Sequence, residues 1–238
     1  IDALLRKNPG ARLVVRGINL RAHSHAGQGL RAWWDNRRRD REALALLERA
    51  EVVIFQSAYQ KSFFEKAGWR GGAHSVIHNG ADALFSGARE ALPPPPLPEG
   101  DAPLRLLCSV MGPRKTKRHD LILAFSRQPG VAVEYAGQWP EGLDAGAVRM
   151  LGTLDHAGVF AALARAHYFL HPAVCDPCPN AMIEALCAGV PVIYNPGPGS
   201  GAELAGDCGL AIAESDIEGT LRRARGGYAD LSARAMAG

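Results

Sequence analysis

The sequence predicts an α/β protein in which mostly parallel sheets are covered by helices on both faces. Two observations predict it: short runs of β-branched and apolar residues recur along the chain, and stretches with helical periodicity separate them. Strands that alternate with helices usually form parallel sheets. An apolar fraction of 47% supplies a buried core, and a length of 238 residues allows two domains.

Nine runs predict strands, and a proline-rich segment divides them. Three of the runs precede that segment, at residues 12–18, 50–57 and 73–80. Six follow it, at residues 104–110, 131–137, 148–154, 167–174, 191–196 and 209–213. Helical periodicity is clearest in three intervening stretches, Asp40–Ala50, Asp120–Ser126 and Val159–Ala166.

The proline-rich segment ALPPPPLPEGDAP, residues 91–103, predicts the link between two domains. Proline lacks the amide donor and fixes φ, so the segment fits neither a central strand nor a helix interior. We therefore expect a first domain over residues 1–90, a second over residues 104–225, and a helical tail over residues 226–238. The first domain is expected to be partial, because it has three strand signals and begins at Ile1.

The composition excludes several classes of protein. A charged fraction of 21% and a net charge of +3 give no reason to expect a nucleic-acid partner. The chain has neither the run of roughly 18 apolar residues that a membrane span needs nor a signal-peptide pattern, so a cytoplasmic protein is expected. Five cysteines, an odd number, indicate reduced thiols and not a disulfide framework.

The segment CDPCPN, residues 175–180, lies between a strand signal and a helix signal. Its Cys175 and Cys178 have the spacing of a redox pair, and a helix N-terminus would lower the pKa of the first thiol. Packing thiols are the favoured alternative, because seven strand signals precede the pair, whereas thioredoxin-like folds carry theirs near the start. A zinc site would lack ligands, since no second pair of Cys or His follows at a suitable spacing.

Asp176 and Glu184 place two carboxylates around the start of a predicted helix. We expect Asn180 to cap that helix and Gly189 to end it. The loop follows a strand, where open α/β sheets bind ligands, and a helix start offers free N–H groups to phosphate. N–H groups that donate hydrogen bonds to phosphate, beside carboxylates that accept them from hydroxyl groups, suit a sugar attached to a diphosphate. A structural interpretation, in which Asp176 lies in a surface turn and Glu184 on a helix, stays open at this point.

A longer segment around this loop carries a resemblance to a known family. HPAVCDPCPNAMIEALCAGVPVIYNPGPGSGAELAGDCGLAI resembles the donor-site segment of retaining GT-B glycosyltransferases, in particular glycosyltransferase family 4. The family pattern has two Glu residues separated by seven, then Ala-x-x-x-Gly-x-Pro-Val and a Gly-rich turn that ends in Glu. Asp176 stands at the first position and Glu184 at the second, and Glu203 ends the turn after Gly199 and Gly201.

Further segments extend the resemblance over about residues 50–213. SVIHNGADALF resembles the family's Asn-Gly-x-Asp-x-x-x-Phe motif, with Asn79, Gly80 and Asp82 as matching residues and Phe85 one residue short of the Phe position. MLGTLDHAGVFAALARAHYFLHPA resembles a family segment whose backbone, here Gly152–Leu154, faces the nucleotide base.

The segment SVMGPRKTKRHDLILAF resembles the family's diphosphate-binding loop, which typically carries an Arg and then a Lys before a Gly. Lys117 matches the Lys, Arg118 stands where Gly is usual, and Gly112 occupies the usual Arg position. Arg114 or Lys115 is expected to substitute for that Arg, because cations match phosphate. A solvated basic loop is the alternative.

The resemblance implies an α/β protein of the GT-B type with two Rossmann-like domains, the N-terminal one truncated. It implies a retaining hexosyltransferase that moves a sugar from a nucleotide-diphosphate sugar to an acceptor hydroxyl, without a metal or a cofactor. Asp176 is the catalytic candidate through hydrogen bonds to donor-sugar hydroxyls, and Glu184 is expected to bind the ribose. The expected donor-binding residues are Arg114, Lys115, Lys117, Gly152, Leu154, Cys178, Pro179, Asn180, Gly199, Ser200 and Glu203.

The acceptor side is less defined. A carbohydrate, lipid-linked or small-molecule acceptor is expected, and His23 and His25 are candidates for lining its cleft. The arginine-rich stretch WWDNRRRDRE, residues 33–42, allows peripheral contact with the anionic inner membrane face, although a solvated helix with i,i+4 ion pairs is favoured. Other functions stay open: a nucleotide-sugar-binding remnant without turnover, a GT-B epimerase or phosphorylase and, more remotely, a thiol oxidoreductase.

Overall fold

The structure is a computed structural model that describes residues 6–17, 30–87, 93–97, 99, 102–110 and 112–237. Contacts divide the chain into two compact units, Ile1–His78 and Asn79–Gly238. Each unit is built on a parallel sheet.

The first unit contains a three-stranded sheet in the order β1-β2-β3. Its elements are β1 (Val14–Arg16), α1 (Leu30–Glu48), β2 (Val52–Phe55), α2 (Ala58–Ala67) and β3 (His74–Val76). Its core is formed by buried apolar side chains of α1, β2 and α2 and the turn after α2, namely Leu47, Val53, Phe55, Phe64 and Trp69.

The second unit contains a six-stranded parallel sheet in the order β6-β5-β4-β7-β8-β9. Its strands are β4 (Leu104–Ser109), β5 (Val131–Ala136), β6 (Arg149–Gly152), β7 (Tyr168–His171), β8 (Val192–Tyr194) and β9 (Gly209–Ala211). Its helices are α3 (Ala83–Gly87), α4 (His119–Ser126), α5 (His156–Leu163), α6 (Asn180–Cys187), α7 (Gly201–Ala205) and α8 (Ile217–Ala237). Two 3-10 turns, Lys115–Lys117 and Gly206–Cys208, complete it.

Apolar side chains cover both faces of the six-stranded sheet. Successive residues of a strand point to opposite faces, and the central strand β4 is apolar on both. Leu106 belongs to a core cluster with residues of α4 and α8, whereas Leu107 belongs to a cluster with residues of α5 and α6. The predicted α/β architecture, with helices on both faces of a parallel sheet, is thereby confirmed, and all nine predicted strands are present.

The order of the strands reverses at the middle of this sheet. From β4 the chain adds β5 and then β6 on one side, and then returns to add β7, β8 and β9 on the other. Since every strand pair is parallel, the loops that follow β4 and β7 emerge side by side at the same edge. Such a reversal is the place where open α/β sheets bind ligands.

The contact boundary after His78 lies before the proline-rich segment. The residues just after it already belong to the second unit, because Phe85 is fully buried in the cluster that covers one face of the six-stranded sheet. The proline-rich segment is also attached there: Tyr228 Oη donates to Pro95 O at 2.7 Å, and His167 Nε2 lies 2.9 Å from Pro96 O. Helix α8 runs without interruption into the expected tail.

Candidate functional site

The candidate site is built by the loops that follow β4 and β7. They are joined by a backbone hydrogen bond from Val174 N to Thr116 O, at 2.8 Å. Lys117 ends the 3-10 turn of the first loop, and Asp176 lies at the middle of the second. The point where the strand order reverses therefore brings a cation and a carboxylate from distant parts of the sequence together.

The Asp176 carboxylate forms an ion pair with Lys117. Lys117 Nζ donates to Asp176 Oδ2 at 3.1 Å, and each side chain is 21% exposed. The other carboxylate oxygen, Oδ1, accepts the N–H of Cys178 at 3.3 Å. Both oxygens of Asp176 are thus engaged within the site.

Ser200 and Gly199, two of the predicted donor-binding residues, hold the backbone of Asp176. The Asp176 carbonyl accepts from Ser200 N at 3.0 Å and from Ser200 Oγ at 3.1 Å. Gly199 has a φ of +151°, and a Cβ added there would lie 3.4 Å from the nitrogen of Cys175. Cys175 itself adopts a left-handed φ of +58° and donates its N–H to Pro198 O. The glycine-rich turn therefore fixes the path of the Asp176 loop.

Asn79 binds the start of helix α6. Its side-chain Nδ2 donates to Asn180 Oδ1 at 2.6 Å and to Cys178 O at 3.3 Å, and its backbone N–H lies 3.4 Å from Cys178 Sγ. The prediction that Asn180 caps the helix is wrong, because the helix already begins at Asn180, Pro179 occupies the cap position, and Asn79 takes the Asn180 oxygen. Gly189 follows the helix in a left-handed conformation, φ +76°, as predicted.

The buried thiol of Cys178 is part of this packing. The side chain is 6% exposed and its sulfur accepts the N–H of Asn79. Both Cys175 and Cys178 are free thiols. The burial of Cys178 agrees with the packing role that the sequence favoured, whereas Cys175 is partly exposed.

Glu184 lies on helix α6, one turn beyond Asn180. Partial burial raises the pKa of its carboxyl above the ordinary value, and the nearby imidazole of His156 acts in the opposite direction. Among the described residues, no side chain or backbone group donates a hydrogen bond to this carboxylate. The group is therefore able to accept one from a ligand hydroxyl.

His171, at the end of β7, is a member of this region that the sequence did not single out. It is 3% exposed, and its Nδ1 has no hydrogen-bond partner among the described residues. Burial lowers its pKa to about 4, with Asp176 and Lys117 acting as its charged neighbours. The nearby Cys108 on β4 is fully buried, which raises the pKa of its thiol. Both groups are neutral at pH 7, so neither provides a negative charge that could pair with Lys117.

Arg118 stands where the family usually has Gly, and its backbone explains that preference. Its φ is +53°, in the left-handed region that Gly adopts most readily. Its guanidinium is bound by Asp120 and Glu214, each at 2.8 Å, and these carboxylates raise the pKa of the group. Arg118 is therefore neutralised by its own neighbours.

Arg114 and Lys115 are exposed and line an open depression beside α4, together with Pro113, His119, Pro140 and Leu143. Lys117 does not line that depression. Among these three predicted cations, only Lys117 forms an ion pair with Asp176.

The remaining predicted donor-binding residues lie on other strands and turns of the same sheet edge. Gly152 ends β6 with a φ of +72°, and its carbonyl accepts from Gly137 N at 2.8 Å. Leu154 is half-buried and precedes Asp155, whose carboxylate caps α5 through Gly158 N at 2.8 Å. Glu203 is exposed in the first turn of α7.

In the first unit, Arg38 of the arginine-rich stretch pairs with Glu42 at 3.4 Å, the i,i+4 arrangement that the sequence favoured. His23 and His25 lie outside the described residues. No helix in the described part of the chain has both the length and the apolar character needed to cross a membrane. Within the same residues, no three His, Cys, Asp or Glu side chains are grouped to hold a metal ion.

Solved structures share this fold at low sequence identity. Sucrose-phosphate synthase from Thermosynechococcus elongatus aligns with a TM-score of 0.73 and 18% identity, over 99% of this chain and 64% of that protein. Anabaena HepE, solved in complex with UDP-glucose, aligns with a TM-score of 0.72 and 18% identity, over 99% and 69% of the two chains. WaaG, a glycosyltransferase involved in lipopolysaccharide biosynthesis, aligns with a TM-score of 0.66 and 19% identity, over 97% and 75%.

These neighbours confirm the expected GT-B fold with Rossmann-like sheets. The chain spans just under two thirds of the length of the sucrose-phosphate synthase structure. No curated protein sequence matches the chain. Residues 104–227, more than half of the sequence, match the family described as Glycosyl transferases group 1. The chain therefore belongs to the Glycosyl transferases group 1 family.

Proposed function

We propose that the chain is the donor-binding part of a retaining glycosyltransferase of the family 4 type. In this reaction a hexosyl group passes from a nucleotide-diphosphate sugar to an acceptor hydroxyl, with retention at the anomeric carbon. The observation that carries the proposal is the Lys117–Asp176 pair at the reversal of the strand order, where the family's diphosphate-binding and sugar-binding positions meet. The structure of HepE with UDP-glucose supports a uridine nucleotide as the first donor to test.

Lys117 binds the diphosphate of the donor in this proposal. Its side chain is 21% exposed at the sheet edge, and a partly desolvated cation stabilises phosphate charge more strongly than one in bulk water. As the bond to the sugar breaks, negative charge grows on the diphosphate. The N-terminal end of α6, which begins at Asn180, adds to this stabilisation through its partial positive charge.

The two carboxylates bind hydroxyl groups. Asp176 is held by Ser200 and Cys178, so its oxygens are positioned before a donor arrives, and they accept hydrogen bonds from the transferred sugar. Glu184 accepts hydrogen bonds from the ribose. The backbone of Gly152–Leu154 faces the base, while Arg114 and Lys115 supply further positive charge.

No cofactor is assigned, and protein cations take the electrostatic role that a metal has in other transferases. The acceptor is a carbohydrate, a lipid-linked sugar or a small molecule. We place the protein in the cytoplasm, with peripheral contact to an anionic membrane surface through the exposed arginines of α1.

The proposal is tested by incubating the full chain with UDP-glucose and a panel of sugar acceptors, and by determining the configuration of any glycoside from its proton NMR coupling. An α-glycoside from the α-linked donor is expected. A β-glycoside would refute retention. Variants Asp176→Asn and Glu184→Gln should each reduce transfer at least ~100-fold, and unchanged turnover would refute their roles.

The same experiment separates the other functions. Binding of UDP-glucose without consumption would identify a nucleotide-sugar-binding module. With a glycoside and inorganic phosphate added, release of glucose 1-phosphate would identify a phosphorylase. Formation of an epimerised nucleotide sugar without a glycoside would identify an epimerase.

A further inference from the structure

The site neutralises its own cation. Lys117 Nζ lies 3.1 Å from Asp176 Oδ2, and both side chains are about four-fifths removed from water, at 21% exposure each. A pair with this burial is stronger than an exposed one, because less water screens it. A phosphate that binds Lys117 must therefore share the ammonium with Asp176 or displace it.

Other groups beside Lys117 offer no substitute for Asp176. His171 and the Cys108 thiol are buried and neutral at pH 7. Two other carboxylates at this edge of the sheet, those of Glu214 and Asp120, form ion pairs with Arg118. In the described part of the chain, Asp176 is the carboxylate that pairs with Lys117.

The two partners differ in their freedom to move. The backbone of Asp176 is held by two hydrogen bonds from Ser200, and its Oδ1 by Cys178 N. Lys117 carries its charge on a four-carbon chain at the end of a short 3-10 turn. The lysine head can turn toward a phosphate and return, whereas the carboxylate stays in place.

We infer that Asp176 is an internal counter-ion that competes with the diphosphate for Lys117. This inference rests on the proposed function. While the sugar is attached, its hydroxyls engage Asp176 and Lys117 is available to the diphosphate. After transfer the sugar leaves, Asp176 again attracts Lys117, and the nucleoside diphosphate loses affinity. Asp176 thus makes the site favour the nucleotide sugar over the nucleoside diphosphate product.

The test is calorimetric titration of the full chain and of Asp176→Asn with UDP, ADP and UDP-glucose. Asparagine keeps the size of the side chain and an oxygen for Cys178 N–H, but it lacks the charge that holds Lys117. We expect the affinity of Asp176→Asn for UDP or ADP to rise about ten-fold, while its preference for UDP-glucose over UDP falls. Affinity for the nucleoside diphosphate that is unchanged or reduced would overturn the inference.

Two further variants make the result specific. Glu218→Gln removes one negative charge from an exposed site on α8, where the side chain is 79% exposed, and should leave UDP affinity unchanged. If it gives the same gain, net charge and not the ion pair is responsible, and the inference fails. In a Lys117→Met background, Asp176→Asn should give no gain, and a persisting gain would also overturn the inference.

These titrations distinguish failure of the inference from failure of the proposed function. If the wild-type chain binds UDP-glucose but Asp176→Asn shows no gain for UDP or ADP, the inference alone fails. If neither chain binds any of the three nucleotides, the proposed function fails and the inference fails with it.

Discussion

Asn79 donates its side-chain amide to Asn180 Oδ1 at 2.6 Å, across 101 positions of sequence. The same amide nitrogen contacts the carbonyl of Cys178 at 3.3 Å. The first residue of the second unit therefore holds the start of the helix that is proposed to face the diphosphate. This contact gives a role to the Asn of the Asn-Gly-x-Asp motif, whose Phe85 is fully buried in the core.

Replacing Asn79 by Asp should weaken nucleotide binding. The new carboxylate oxygens would face the oxygens of Asn180 and Cys178, and a negative charge would stand near the proposed diphosphate site. We expect the Kd for UDP-glucose to rise about ten-fold by calorimetry. Ser86→Ala is the control, because Ser86 is exposed and its Oγ donates to Ala83 O within helix α3. Wild-type affinity in Asn79→Asp would contradict the assignment.

Gly199→Ala should displace the Asp176 loop. Gly199 has a φ of +151°, which a residue with a Cβ rarely adopts, and the new carbon would lie 3.5 Å from Asp176 N. We expect a loss of ~1–3 kcal/mol in the free energy of unfolding, together with weaker UDP-glucose binding.

Gly226→Ala serves as the control for the added methyl group. Gly226 lies inside α8 with nothing within 4 Å of the new carbon, so alanine should stabilise the chain by ~0.5–1 kcal/mol. Urea denaturation measures both variants. A Gly199→Ala chain as stable as the wild type would refute the backbone argument.

The stability of the second unit should fall as the pH is lowered from about 6.5 toward 4. His167 is fully buried, accepts Arg105 N–H at Nδ1 and lies 2.9 Å from Pro96 O at Nε2, which fixes its neutral form. Burial lowers the pKa values of His119, His167 and His171, the last to about 4. The unfolded chain therefore binds protons in this window that the folded chain does not, and unfolding becomes more favourable.

Urea midpoints measured from pH 7 to pH 4.5 test this dependence. His171 alone should contribute a slope approaching ~1.4 kcal/mol per pH unit below its unfolded pKa. His171→Met should reduce the slope. Stability that is constant or rises toward pH 5 would contradict the prediction.

Glu184→Gln should separate stability from binding. The pKa of Glu184 is raised by partial burial, so its ionised form costs folding free energy at pH 7 and the cost decreases as the pH falls through that raised value. The amide removes this cost. We expect an equal or higher Tm than the wild type, together with at least ten-fold weaker UDP-glucose binding, since the amide accepts ribose hydrogen bonds less strongly. A lower Tm with unchanged binding would contradict both parts.

Much of the fold follows from local patterns in the sequence. Each predicted strand is a short apolar run, and burial on both faces of β4 is visible as the run LRLLCSV. The order of the strands is not local, so the meeting of the β4 loop with the β7 loop, and of Lys117 with Asp176, required the family resemblance or the structure.

The incorrect helix cap shows a second limit. Asn180 is a preferred cap residue and stands directly before an apolar periodic run, but the partner that takes its oxygen lies on a distant segment. His171 gave no signal either, because a histidine inside an apolar strand run has the pattern of any core residue. The positive φ of Arg118 also has no local signal in this chain, where Arg replaces the usual Gly.

The role of Lys117 in donor binding is tested by calorimetric titration of the full chain and of Lys117→Ala with a panel of nucleotide sugars, beginning with UDP-glucose and ADP-glucose. The wild-type chain should bind at least one of them. Lys117→Ala should weaken that binding ~10–100-fold, because a charged hydrogen bond to phosphate is lost, while Arg222→Ala, at a side chain 74% exposed on α8, leaves it unchanged. Binding of none, or equal binding by the wild type and Lys117→Ala, would contradict it.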